Sequence, residues 1–252
     1  MEVGYHLNQE EITALISSFK QKQKFQNLMK EIKRYSELDF DTEKAEVIQA
    51  LKFDTTKGEQ VITAKALVLQ FSDKVNIRYI TRYLNGDLET TNDFFVGTLN
   101  HNSIEEPEKI LQTVMRASDD NVVSVIKNEF DEEAVEMSAE ANEKFEEEFN
   151  YDENYEPGQL VGQVDAQSPI KGCIAGGYIY CGDSCGGYPA CKSTKSGVNG
   201  LDNCCKTHDC CYNTYGVGYP HCYCDQQLCD CAQAAPFAKA KILVESAFCF
   251  VC

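Results

Sequence analysis

The position of its cysteines constrains this chain more than any other feature. All 14 fall between Cys173 and Cys252, and the first 172 residues contain none. An even, dense set in so short a segment reads as a disulfide framework, which persists only in an oxidising compartment. Charge divides at nearly the same place: residues 1–165 carry 34 acidic and 17 basic side chains, whereas residues 166–252 carry six of each. The formal net charge of −17 therefore belongs to the N-terminal part. A chain of 252 residues has room for one or two domains, and the composition points to two. The expected division is an N-terminal domain over 1–128, an acidic helix or linker over 129–165 and a cysteine-rich domain over 166–252. The first residues, M-E-V-G-Y-H-L-N-Q-E-E, show neither the basic nor the apolar region of a signal peptide, which leaves the export route open. No apolar run approaches membrane-spanning length.

Within the cysteine-rich part, D-N-C-C-K-T-H-D-C-C-Y runs from Asp202 to Tyr212 between Gly200 and Gly216, with helical length and no interior Gly or Pro. On a helix, Cys204, His208, Cys211 and Tyr212 share one face about 100° wide, and Cys205 and Asp209 lie on its edge. A second helical segment runs from His221 and ends before Pro236. Cys224 and Cys231 are seven residues apart, as are Cys204 and Cys211, so antiparallel helices could be tied by two rungs, 211 to 224 and 204 to 231. Such a ladder would set His208 opposite Asp225, a base facing the carboxylate that orients it.

The motif D-x-C-C-x-x-H-D-x-C-Y, followed by the C-x-C-D that ends at Asp225, resembles the catalytic core of secreted phospholipases A2. Tyr180-Cys181-Gly182 followed by Gly186-Gly187 is similar to that family's calcium loop. The resemblance covers residues 172–235, roughly a quarter of the chain. It implies that His208 activates a water, that Asp225 orients His208, and that Tyr212 supports the pair. It also implies Ca²⁺ held by Asp209 and by loop carbonyls at Tyr180, Gly182 and Gly186, with Ser184 as an alternative to Gly186. Disulfides Cys181 to Cys205, Cys204 to Cys231 and Cys211 to Cys224 follow from the same resemblance; the other eight cysteines can pair in 105 ways. The chain departs from the family in its extra Cys185 and in a long segment from Tyr188 to Gly200. The 16-residue step from Asp209 to Asp225 is also too short for the β-hairpin that common animal enzymes place there, so the compact form is expected.

The N-terminal part reads as α+β. Residues 10–38 carry apolar side chains at steps of three and four, which predicts one or two amphipathic helices. Four β-rich runs, Val47–Phe53, Val61–Phe71, Val75–Leu84 and Leu88–Val96, are separated by T-T-K-G, S-D-K and N-G-D, which predicts an antiparallel meander. Pro107 is expected to open a helix running to Arg116, and Val122–Ile126 is an apolar run of either type. Residues 129–156 hold thirteen acidic side chains against Lys144 alone, yet Phe130, Ala134, Met137, Ala141, Phe145 and Phe149 recur at helical spacing. An acidic helix and a solvated linker both fit that pattern. The expected fold class is thus an α+β N-terminal domain with an antiparallel meander, followed by a small disulfide-rich all-α domain like that of phospholipases A2.

Zinc is disfavoured, because the vicinal pairs Cys204-Cys205 and Cys210-Cys211 cannot direct both sulfurs to one ion and no C-x₂-C knuckle is present. His6, His101 and His221 lack the carboxylate company of His208 and read as surface or packing residues. Tyr178, Tyr188, Tyr215, Val217 and Tyr219 suit a membrane-contacting rim or core packing equally. The reading is a secreted, calcium-dependent phospholipase A2 acting on a phospholipid surface, with no nucleic-acid partner and an acidic pro-region or leader. The alternatives are a membrane-active toxin or bacteriocin precursor, or a non-catalytic binding module on the same scaffold.

Overall fold

The computed structural model describes residues 4–36, 40–57, 60–84, 87–121, 123–148, 154, 172–182, 185 and 190–250. The chain runs β1 (Gly4–His6), α1 (Gln9–Phe19), α2 (Gln23–Ile32), β2 (Glu46–Lys57), β3 (Gln60–Ser72), β4 (Val75–Leu84), β5 (Asp87–Asn102), β6 (Ile110–Ala117), β7 (Val123–Glu129) and α3 (Glu132–Glu148). A 3₁₀ turn at Ala190–Lys192 then precedes α4 (Gly200–Tyr215), α5 (Cys222–Ala234) and α6 (Lys241–Phe248). The seven strands pair in sequence order and every pairing is antiparallel, so the N-terminal part is a meander sheet with helices. The C-terminal part is helical.

Strand alternation gives this sheet two buried faces. Ala50, Leu67, Tyr79, Phe95 and Ala117 stand opposite one another across five strands, on the face that α1 and α2 cover. Phe19 of α1 packs on Tyr79 and Phe95, with ring centroids 4.8 and 5.5 Å away. The backbone of β5 admits α2 this closely because residue 97 is glycine; a Cβ there would meet Ile32 Cδ1 at 2.8 Å. Helix α1 starts on a reciprocal cap in which Asn8 accepts from the Glu11 amide and Glu11 from the Asn8 amide.

The other face carries the row Leu51, Ala66, Ile80 and Phe94. One hydrophobic cluster joins this row to Leu201, Leu228, Ile242, Leu243 and Val244, so the cysteine-rich helices form the second layer over the sheet. Helix α6 is buried all round from Lys241 to Ala247. The acidic segment is helical over α3, with Ala141 and Phe145 buried in the same cluster and its glutamates outward. Asp131 accepts from the Ala134 amide at its start, and Lys239 pairs with Glu146 at 2.8 Å.

One expectation is corrected. Residues 110–117 form strand β6 rather than a helix opened by Pro107, and pair with β5 and β7 along their whole length. Leu111, Gln112, Met115 and Arg116 tolerate helix, but two flanking strands offer ladder bonds and a buried slot for Val114 and Met115, and that tertiary context decides. Val123–Glu129 is the last strand of the sheet. Strand β1 and helix α6 form where no element was expected.

The layer contact holds a buried ion pair. Arg78 of β4 donates from Nε to Glu245 Oε2 of α6 at 3.1 Å, with both side chains sealed from solvent. Arg78 also reaches Thr98 Oγ1 at 3.3 Å. One turn earlier on α6, the ammonium of Lys241 donates to the carbonyls of Gln233 and Ala235; burial, and then the charge of Arg78, push its pKa well below the usual lysine range. Glu245→Ala would leave the buried Arg78 guanidinium without its carboxylate. It is expected to lower unfolding free energy by about 3–5 kcal/mol, whereas Arg78→Met with Glu245→Met changes it little or raises it. Chemical denaturation of the two variants checks this.

Candidate functional site

Neither α4 nor α5 has enough apolar surface to hold the pair together, and the cysteines do so instead. Bonds Cys204–Cys231 and Cys211–Cys224 tie the two helices with Cα separations of 5.7 and 5.8 Å. Cys181–Cys205 ties the preceding loop to α4. These are the three pairs that the resemblance implies. Cys173–Cys185, Cys191–Cys210 and Cys229–Cys249 are further bonds, the last holding α5 to the end of α6. Cys222 is bonded as well. The six disulfides between described cysteines suggest an oxidising compartment, and among the described residues no helix is long and apolar enough to cross a membrane. From α4 the chain turns out through Gly216, left-handed at φ 64°, and reaches α5 without an intervening strand.

The ladder brings His208 and Asp225 together. His208 Nε2 lies 2.8 Å from Asp225 Oδ1, and Tyr212 donates its hydroxyl to the same oxygen at 2.7 Å. Asp225 Oδ2 accepts from the amide of His221, the residue that caps α5, at 2.9 Å. A carboxylate with no solvent exposure is thereby satisfied by three donors, and it both caps its own helix and fixes the imidazole. With Nε2–H held by Asp225, the neutral ring presents Nδ1 as its basic nitrogen. That nitrogen is 3.8 Å from Asp209 Oδ1. Burial and the Asp225 charge push the Tyr212 phenol far up, so it stays a donor.

The ring is clasped from two sides. Tyr212 lies 4.7 Å away by centroids, and Phe248 meets the imidazole edge-on at 4.9 Å. Phe248 sits at the end of α6 and is brought there by Cys229–Cys249; Tyr219 in turn packs edge-on against it at 5.8 Å. The motif gave no sign of Phe248. The apolar run Ile242–Val244 after Pro236 is the only sequence signal that could have found its helix.

Asp202 is the second residue whose role the sequence did not show. It is fully buried, and its carboxylate accepts from the amides of Ile179, Tyr180, Cys181 and Val198. Its own amide is capped by Asn199. A buried carboxylate ringed by backbone N–H groups fixes the loop on the first turn of α4, and Cys181–Cys205 repeats the tie covalently. Asp at the third position of a helix behind an Asn cap is the available signal.

Ca²⁺ needs hard oxygens, here from carbonyls and about one carboxylate. The loop at Tyr180–Gly182 is held one helical turn from Asp209, about 6 Å of rise along α4. The Asp209 side chain is 43% exposed. Among the described residues no group of three His, Cys, Asp or Glu side chains suits a metal, so any ligand set here must rest on carbonyls. Gly182 stands at φ 116°, and a Cβ on it would strike Gly172 O, so only glycine follows this path. The Tyr180 hydroxyl bonds Ser193 Oγ and Lys195 O, which leaves its carbonyl as the group offered. Loop carbonyls and one carboxylate match the cation in type, and the Gly182 carbonyl also accepts from the Cys185 amide at 3.2 Å. Gly186, Ser184 and Tyr188 lie outside the described residues.

Of the aromatic rim residues, Tyr178 is core, accepting from Asn199 Nδ2. Tyr215, Val217 and Tyr223 are 55, 41 and 54% exposed around the connection between α4 and α5. Comparison of the chain with protein-family models, with curated proteins and with solved structures finds no match.

Burial pulls the His208 pKa down, but hydrogen bonds to and the charges of Asp209 and Asp225 outweigh it and raise the net value above the usual one. The imidazolium's native contacts therefore add stability that is complete below about pH 6.5, the unfolded value, and is lost as pH rises through the higher folded value. An NMR titration of the His208 ring is expected to give a midpoint above 6.5, and Asp225→Asn to lower it, because burial then acts with one carboxylate fewer. Opening both rungs by Cys204→Ala with Cys231→Ala and Cys211→Ala with Cys224→Ala is expected to cost at least about 2–5 kcal/mol and to return the His208 midpoint toward 6.5.

Proposed function

We propose that the protein is a secreted, calcium-dependent phospholipase A2 that hydrolyses the sn-2 ester of glycerophospholipids. The observation that carries the reading is the bond from His208 Nε2 to the sealed Asp225 carboxylate, which leaves Nδ1 as the base beside Asp209. Water is the nucleophile that such a pair activates, since among the described residues no serine or cysteine thiol stands within its hydrogen bonds and every described cysteine is disulfide-bonded.

In the mechanism that follows, neutral His208 takes a proton from water at Nδ1 as the oxygen attacks the ester carbonyl. Asp225 stabilises the imidazolium that forms, and the Tyr212 hydroxyl keeps the carboxylate in place. The imidazolium then returns its proton to the departing alkoxide. Phe248 and Tyr212 hold the ring plane and keep bulk water from its faces. Asp209 and the carbonyls of Tyr180 and Gly182 would hold the cation, which when bound supplies positive charge to the ester oxygen. Exposed Tyr215, Val217 and Tyr223 give this end of the helix pair an apolar surface suited to a lipid interface.

The test is fatty-acid release from phosphatidylcholine–phosphatidylglycerol vesicles with calcium and with a chelator. Activity is expected only with calcium and to rise with pH through the His208 midpoint. His208→Gln is expected to lower turnover by about 10²–10⁴-fold or more while calcium binding persists, and Asp209→Asn to weaken both together. Calcium-independent release, or wild-type turnover by His208→Gln, would sink the reading.

A further inference from the structure

A second buried cation of the sheet faces the cysteine-rich helices. Arg82 on β4 lies two positions beyond Ile80 on the face that meets the cysteine-rich helices and is only 5% exposed. Its Nε is buried with no hydrogen-bond partner; Arg78 on the same face also has one unpartnered guanidinium nitrogen but is ion-paired with Glu245. The guanidinium lies over the Phe250 ring at 4.6 Å, and Phe94 of β5 supports that ring from the sheet at 4.8 Å. Phe250 is two residues past Phe248, whose ring touches both His208 and Tyr219. Tyr219 in turn feels the charges of both Asp225 and Arg82. Burial lowers the Arg82 pKa to about 10, which leaves it a cation at neutral pH.

Taking a guanidinium out of water without a carboxylate is costly, and a π face offsets only part of that cost. A cation kept in this condition, whose charge reaches the same Tyr219 as that of Asp225, is suited to a ligand that brings its own negative charge. Its fork of N–H donors matches tetrahedral phosphate oxygens. We propose that Arg82 binds the phosphodiester of the substrate lipid, so that the N-terminal sheet completes the site carried by the cysteine-rich helices. The inference rests on the phospholipase reading above and adds to it a substrate-binding residue outside residues 172–235. It makes the sheet a working part of the site.

The experiment uses the full chain at saturating calcium with two monomeric esters, a short-chain phosphatidylcholine below its micellar concentration and p-nitrophenyl butyrate, which has no phosphate. Arg82→Gln is expected to lower kcat/KM for the phospholipid by about 10- to 100-fold, mainly through KM, and to change hydrolysis of the neutral ester less than about twofold. Arg82→Lys is expected to restore part of the loss. An unchanged kcat/KM for the phospholipid, or an equal fall on both esters, would overturn the proposal and leave the phospholipase reading standing. Calorimetric titration of dodecylphosphocholine against dodecyl maltoside gives a readout independent of catalysis. Arg82→Gln is expected to weaken the first and not the second, and equal binding by wild type and variant would overturn the proposal even if the wild type proved inactive. Far-UV circular dichroism and melting temperature confirm that the variants compared are folded.

Discussion

The Asp225 carboxylate is the point on which the helical part converges. Sealing a carboxylate from water carries a penalty of several kcal/mol unless its oxygens are filled, and here His208, Tyr212 and the amide of His221 fill them. Two of those donors come from α4 and one from the start of α5, so the carboxylate can be buried only where the helices are already in register. The Cys204–Cys231 and Cys211–Cys224 bonds hold that register covalently. Asp202 repeats the device at the other end of α4, where four loop amides converge on one buried carboxylate. Covalent bonds and buried carboxylates thus replace the apolar core that a pair of helices of 16 and 13 residues lacks.

The sheet supplies the apolar core that is missing. Its Leu51–Phe94 row would stand in water without α6, and α6, buried on every side, would have no partner without the sheet. The two compositional halves therefore meet through one hydrophobic cluster, with the Arg78–Glu245 pair fixing how they meet. Positioning Phe248 against His208 is a consequence of that packing, because α6 is pressed on the sheet by its apolar face and drawn to α5 by Cys229–Cys249. The net charge of −17 is carried away from this contact, with the glutamates of α3 facing outward.

What was legible and what was not follows from the range over which each feature is decided. Strands β2 to β5 were readable because their Val, Ile, Thr and Phe alternate between hairpin signals, a pattern written within ten residues. Strand β6 was not, since Leu, Gln, Met and Arg suit a helix equally and only its two neighbours decide. The acidic segment could be read as helix or linker; burial of Ala141 and Phe145 against the other layer makes α3 a helix. Lys241 and Glu245 concealed α6, because charged side chains four residues apart suggest a solvated face, whereas both are buried beside Arg78.

By itself the sequence determined the local geometry of the site. Spacings of three, four and seven residues fix which side chains share a helix face, and matching intervals between cysteines allow a ladder that the resemblance selects, so His208, Tyr212 and Asp225 were expected together without coordinates. Tertiary structure alone decided what surrounds them: the Phe248 wall, the sheet beneath α6 and the unpaired guanidinium of Arg82. Those contacts join residues from forty to more than a hundred positions apart through non-directional burial, and burial leaves no periodic mark that ties one partner to the other in the chain.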